Sequence, residues 1–120
     1  MINQKYHALL NHADITFEAP ASNAAIQVND AATGEALAWV KTHTQAAVEA
    51  AILRSQQAQA AFKKLTTLQR ADLLMNWYQL ILKNQEDLAQ ILTAEQGKPL
   101  AEARGEIGSA ASFIRWFAEQ

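Results

Sequence analysis

From Thr44 to the end of the chain, apolar residues return every three or four positions, the period of a helix with a packed face. The first run is Val48, Ala51, Ile52, Ser55, Ala58 and Phe62. With Thr44 as its capping residue, it predicts a helix over 44–62. The stretch "FKKLTT" ends that helix, its lysines sitting where the negative helix end favours cations. Thr66 followed by Gln69 is a capping-box pair, so a second helix is predicted over 67–83. It carries Leu73, Leu74, Trp77, Tyr78, Leu80 and Ile81, an apolar arc too wide for one stripe, and is expected to be buried on two sides. The pattern resets at Asn84, whose side chain is expected to cap a third helix over 85–96. Glu86 and Asp87 then fall in its first turn, against the positive helix end, and Leu88, Ile91 and Leu92 continue it. Gly97 suits the left-handed position that ends a helix, and Pro99 the first turn of a fourth helix over 99–119. In that helix Leu100, Ala103, Ile107, Ala110, Ala111, Ile114, Phe117 and Ala118 make the stripe, while Phe113 and Trp116 lie on a second face with Ser109.

The first third reads differently. "AAIQV" (24–28) and "EALAWV" (35–40) predict two short strands joined by a turn in which Gly34 takes an unusual φ. Before residue 20 the pattern suggests no more than a short helix around Tyr6–Leu10. The fold class is therefore mainly α with a short N-terminal β-hairpin. It divides into an extended and hairpin region, 1–43, and a helical segment, 44–120. Charge divides similarly, with 5 of the 22 charged residues in 1–40 and 17 in 41–120.

Composition narrows the chemistry. Of the 60 hydrophobic residues 25 are alanine, which favours closely approaching helices over a bulky core. A net charge of −2 gives no reason to expect nucleic acid or an anionic membrane as partner. With no cysteine in the chain, disulfides, thiolate metal sites and a cysteine nucleophile are excluded within it. The opening "MINQKYHALLNHADITFEAP" has neither the charge nor the apolar block of a signal peptide or a membrane span, so a cytoplasmic location is expected.

The stretch "EQGKPLAEARGEI" invites functional readings. A phosphate loop needs several glycines and then Lys-Ser/Thr, whereas Lys98 precedes a proline that has no N–H to give. Helix stop and restart explains it. Glu102 and Glu106 share a helix face and resemble an acid/base pair in spacing, but a solvated charged face accounts for them. His7, His12 and His43 match no metal motif. Gly105 and Gly108 lie inside a helix at roughly 1 kcal/mol each, which points to close approach of a neighbouring element. Neither follows a strand as a dinucleotide loop requires. The residues by themselves supply no catalytic, cofactor-binding or metal site.

At "LTAEQGKPLAEARGEIGSAASFIRWFAEQ" the sequence closely resembles the aldehyde dehydrogenase superfamily, in particular its bacterial NAD(P)-dependent succinate-semialdehyde dehydrogenases. "EQGKPLAEA", "GEI", "AASFI" and "WFAE" carry the match. Upstream, Arg70 in "LQRADLL" takes the position of the family's helix arginine, and "DAATGEAL" resembles its Asn/Asp-Pro-Ala-Thr-Gly-Glu turn. The resemblance runs from about residue 26 to 120, and the family's opening strand is not recognisable in "HADITFEAP". Ala31 stands where the family usually has proline, which is expected to loosen the turn. Ser109 stands where close relatives often carry a larger residue, on a helix that borders the family's substrate tunnel.

The resemblance implies the amino-terminal part of the α/β aldehyde dehydrogenase fold, its helices covering one face of an incomplete nucleotide-binding domain. It implies NAD or NADP as cofactor, and a small aldehyde such as succinate semialdehyde as substrate, for the full-length protein. The family's catalytic cysteine, general base and cofactor-binding residues all come later, so this chain is expected to be inactive alone. Two alternatives stay open: a free-standing helical interaction module, and a fragment of an aldehyde dehydrogenase with another substrate. Apolar faces shaped for missing partners lead to an expectation of self-association, through exchange of an element at a loose 29–35 turn.

Overall fold

The computed structural model describes residues 9–10, 12–21 and 24–120. Three strands, β1 (Ile15–Thr16), β2 (Ala25–Asn29) and β3 (Ala36–Lys41), precede four helices. These are α1 (Gln45–Phe62), α2 (Thr67–Lys83), α3 (Gln85–Gln96) and α4 (Leu100–Glu119). The expected hairpin is present as β2 and β3, antiparallel with Val28 opposite Ala38 and a bulge between Val28 and Asn29. β3 is the middle strand of an antiparallel sheet ordered β1-β3-β2. β1, which the pattern missed, sets Ile15 opposite Val40 within "HADITFEAP". Two residues are too short to show an alternation. The suggested helix at Tyr6–Leu10 lies outside the described residues for its first three positions, and Leu9 and Leu10 form a turn.

The helix ends follow the side chains named for them. Thr44 Oγ1 accepts from Ala47 N–H at 3.3 Å. At α2 both halves of the capping box form: Gln69 N–H donates to Thr66 Oγ1 at 3.2 Å, and Thr66 N–H donates to Gln69 Oε1 at 2.9 Å. Gly97 closes α3 in the left-handed region, φ 74°, its N–H on the Thr93 carbonyl. Pro99 sits one position earlier than expected, as the capping residue just before α4, with its carbonyl accepting from Glu102 and Ala103.

Asn84 corrects the sequence reading. The break between α2 and α3 is there, but the Asn84 side chain does not cap α3. It turns back and donates from Nδ2 to the Leu80 carbonyl at 2.8 Å, closing the end of α2. Its own backbone carbonyl still receives Leu88 N–H, so α3 starts without side-chain help. An amide group carries donors as well as an acceptor, and here the orphan carbonyls of the helix before it win the contest.

Packing is uneven. α4 lies against both α2 and α3, and these contacts use alanine: Ala89, Ala103 and Ala111 are fully buried. Leu37 of β3 and Ile91 of α3 form the small apolar centre, with Leu9, Leu10 and Ala94 against it. α2 was expected to be buried on two sides, yet it has no buried residue: Leu73, Trp77 and Leu80 are all more than half exposed. Among the described residues its second side has nothing to pack on. α1 is barer still, with only Ala47, Ala50 and Ala51 partly covered. The Cα radius of gyration is 17.2 Å, against about 14 Å for a compact domain of this length.

Candidate functional site

The hairpin turn is held by several bonds. Asp30 Oδ1 accepts from the N–H groups of Ala32, at 2.9 Å, and Thr33, at 3.0 Å. These bonds hold the exposed Asp30 carboxylate below its ordinary pKa, Thr33 contributing most. Gly34 has φ 73°, the left-handed geometry anticipated for it, and its N–H reaches the Asp30 carbonyl at 2.8 Å. Ala31 N–H donates to the Ala94 carbonyl of α3 at 3.0 Å. The turn at Ala31, where loosening is expected from the missing proline, is tied to α3 by this bond. Proline has no donor, so alanine at this position adds a tie between turn and helix that proline could not make. The same corner leaves no room at Gly97, where a Cβ would come within 3.1 Å of Ala31 Cβ.

Charged pairs clamp α3 to α4. Arg104 donates to Glu86 from Nε at 2.6 Å and Nη2 at 2.9 Å, a bidentate pair that raises the arginine's already high pKa. Gln85 Nε2 donates to the Arg104 carbonyl at 2.9 Å, and a Cβ on Gly108 would sit 3.2 Å from the same nitrogen. Gly108 thus lies close against the Gln85 amide. At Gly105 no described residue lies within 4 Å of where a Cβ would stand. Lys98 pairs with Glu106 across the α3–α4 link. One member of the suggested carboxylate pair is thereby held by a cation, which gives the spacing of Glu102 and Glu106 no acid/base use. Sequence spacing did not signal these ion pairs, because their partners lie 8 and 18 residues apart.

The remaining residues singled out from the sequence are scattered. Arg70 Nη1 donates to the Leu65 carbonyl at 3.0 Å, pinning the turn between α1 and α2. His7 lies outside the described residues. His43 Nε2 is 3.0 Å from Asp14 Oδ2, and His12 Nδ1 is 3.6 Å from the same oxygen. No group of three side chains suited to a metal exists among the described residues. Ser109 is exposed on α4 and, with Ser112, Phe113, Trp116 and Phe117, lines an open hollow of about 460 Å³. Gly34 stands in the hairpin turn, Arg70 and Asn84 at the two ends of α2, and Gly97 and Pro99 in the α3–α4 link, while Ser109 is exposed on α4. Among the described residues no helix is long and apolar enough to cross a membrane.

The profile of one family, "Aldehyde dehydrogenase family", matches residues 17–120. The chain belongs to the aldehyde dehydrogenase family. The match begins well before residue 26, where the resemblance was first legible, and takes in the segment just after β1. Similar proteins include the 3-sulfolactaldehyde dehydrogenase of Pseudomonas putida, 52% identical over 78% of this chain and 19% of that protein. The NADP(+) succinate-semialdehyde dehydrogenase of Escherichia coli is 48% identical over 80% of this chain and 20% of its own length. The crystal structure of succinate-semialdehyde dehydrogenase from Burkholderia pseudomallei superposes with a TM-score of 0.78 at 50% identity, covering 85% of this chain and 21% of that one. This aldehyde dehydrogenase segment thus spans about a fifth of the length of the curated relatives it matches.

The described residues do not fit a dinucleotide. The described sheet is antiparallel, and the positive-φ glycines stand in a hairpin turn and a helix–helix link. Neither glycine opens a helix after a parallel strand, the arrangement that presents N–H groups to a pyrophosphate.

Proposed function

We propose that this chain is the amino-terminal part of an NAD(P)-dependent aldehyde dehydrogenase whose substrate is a short aldehyde with an anionic far end, succinate semialdehyde among them. The observation that carries the reading is the family match over residues 17–120. The names of its relatives support the substrate class: a semialdehyde of a dicarboxylic acid ends in a carboxylate, and sulfolactaldehyde in a sulfonate. A three-carbon sulfonate and a four-carbon carboxylate share the aldehyde and the negative charge, and little else. The shared features define the class better than either name.

This chain's part in that enzyme is structural. Its helices cover one face of the nucleotide-binding domain, with the bare sides of α2 and α4 turned toward the rest of the protein. The reaction needs a nucleophile that adds to the aldehyde carbon, and the chain holds no cysteine to supply one. The purified chain therefore produces no NAD(P)H from any aldehyde. For the complete protein that contains it, kcat/KM for succinate semialdehyde and 3-sulfolactaldehyde should exceed that for butanal by about a hundredfold or more. Equal efficiency with butanal would sink the substrate class. Turnover by the chain alone would sink the structural role.

A further inference from the structure

β1 is only two residues long, and much of what fastens it lies in the residue just before it, Asp14. Lys41 N–H donates to the Asp14 carbonyl at 2.8 Å. The Asp14 side chain reaches further: its Oδ2 stands 3.0 Å from Nε2 of His43, 29 positions along the chain. His43 directly precedes Thr44, the residue that caps α1. The pair therefore ties the β1 end of the sheet to the junction where β3 finishes and α1 starts. α1 has no buried residue, and beside the pair it borders an open hollow lined by Asp14, His43, Ala47, Val48, Ala51 and Arg54. The Asp14 side chain is 25% exposed and that of His43 45%. Water thus reaches the ring to exchange protons with it, yet only partly screens the contact.

We infer that Asp14 and His43 form a proton-operated latch on β1. Imidazole is the side chain that changes charge between about pH 5 and 8, whereas a carboxylate stays ionised over that range. Neutral His43, with its proton on Nε2, gives Asp14 one hydrogen bond. As a cation it keeps that bond and adds the attraction of opposite charges. Protonation therefore tightens the pair, and β1 is held most firmly at the acid end of the range and loosens as pH rises. His12 is the second imidazole at the same carboxylate, with Nδ1 3.6 Å from Asp14 Oδ2. That nitrogen also accepts the N–H of Asp14 at 3.2 Å. Protonating His12 gains the first contact and forfeits the second, so its two effects offset each other. Among the described residues, Arg54 on the wall of the hollow and Lys41 beside Asp14 in the adjoining one also border the pair. Both stay charged throughout, a constant background that limits the swing without reversing it. The latch rests on this geometry and not on the enzymatic reading, so each can fail without the other.

Two neighbouring amides make the test direct. Lys41 N–H is bonded toward β1, at Asp14, while Thr42 N–H is bonded to the Ala24 carbonyl on the β2 side. Amide exchange on the purified chain, read by NMR and corrected for its intrinsic pH dependence, follows both at once. Lys41 should be about threefold better protected at pH 5.5 than at pH 8, the size of effect an exposed pair supplies, with Thr42 unchanged. His43→Gln still offers an N–H but takes no charge, and should abolish the difference. Asp14→Asn should abolish it too, whereas His12→Ala should leave it in place. Equal protection of Lys41 at both pH values would overturn the latch. So would a change that Thr42 shares, since the whole sheet would then be responding, or a difference that survives His43→Gln or vanishes with His12→Ala. If Asp14→Asn detaches β1 outright, His43→Gln decides alone.

Discussion

The corner where the hairpin meets the end of α3 and the outer side of α2 are both made of small and apolar residues on sound local geometry, yet they end in opposite conditions. At the corner, Leu37 and Ile91 are buried, and Asp30, Ala31 and Gly97 each make a hydrogen bond or contact that fixes a neighbour. On α2, the capping box is complete and the apolar spacing regular, but Leu73, Trp77 and Leu80 face outward. Local rules therefore set where the helices start and stop in both regions. Burial is decided by what else is present. An apolar residue stabilises only when something removes it from water.

The widest gap between the two regions should appear on truncating leucine. Leu37→Ala should lower unfolding free energy by about 2–5 kcal/mol, as for other buried leucines, whereas Leu73→Ala should stay within about 0.5 kcal/mol. Urea denaturation of both variants measures the contrast directly, under dilute conditions where the chain is monomeric. Comparable losses would mean that α2 is covered in solution.

The two left-handed glycines sharpen the same contrast. Gly97→Val should cost about 3 kcal/mol, because a β-branched residue meets both the positive φ and Ala31 Cβ at close range. Gly34→Val shares the φ but has open space around it, and should cost about 1–2 kcal/mol. A larger effect at Gly34 would contradict the tight corner.

Gly97 and the Thr66–Gln69 capping box also show how much of the fold was legible in advance. Helix boundaries were readable because glycine, proline and the Thr66–Gln69 pair act on their own backbone within a few residues. The same locality explains the error at Asn84, whose amide can serve either helix. Side-chain chemistry alone does not say which carbonyl or N–H lies nearer. β1, the Arg104–Glu86 clamp and the Ala31–Ala94 tie all join residues remote in sequence, and no periodicity marks them. As for the candidate site, the family could be read from the "EQGKPLAEA" block by resemblance. The outward placement of Ser109 and the empty space at Gly105 required coordinates.

Smaller effects test the tie and the caps. Ala31→Pro should cost about 1–2 kcal/mol by leaving the Ala94 carbonyl without its donor. A gain in thermal midpoint instead would show that turn stiffness outweighs the lost bond. Thr66→Ala should cost about 1 kcal/mol. Asn84→Ala should cost no more than about 0.5 kcal/mol, since the bond lost is an exposed one at a helix end that alanine's helix propensity partly offsets. If Asn84→Ala proved the costlier of the two, the side chain would have to be capping α3 after all.

Helix α1 covers only three of its alanines and has no buried residue along its 18 positions. An isolated helix of that length is marginal in water even with a good cap. Its amide protons should therefore exchange with deuterium at rates close to those of a free peptide, while those of α4 along the Ala103–Ala111 side stay protected. A protease that samples local opening would cut first between Gln45 and Phe62, leaving the hairpin attached to α3 through the Ala31–Ala94 bond and the Leu37–Ile91 contact.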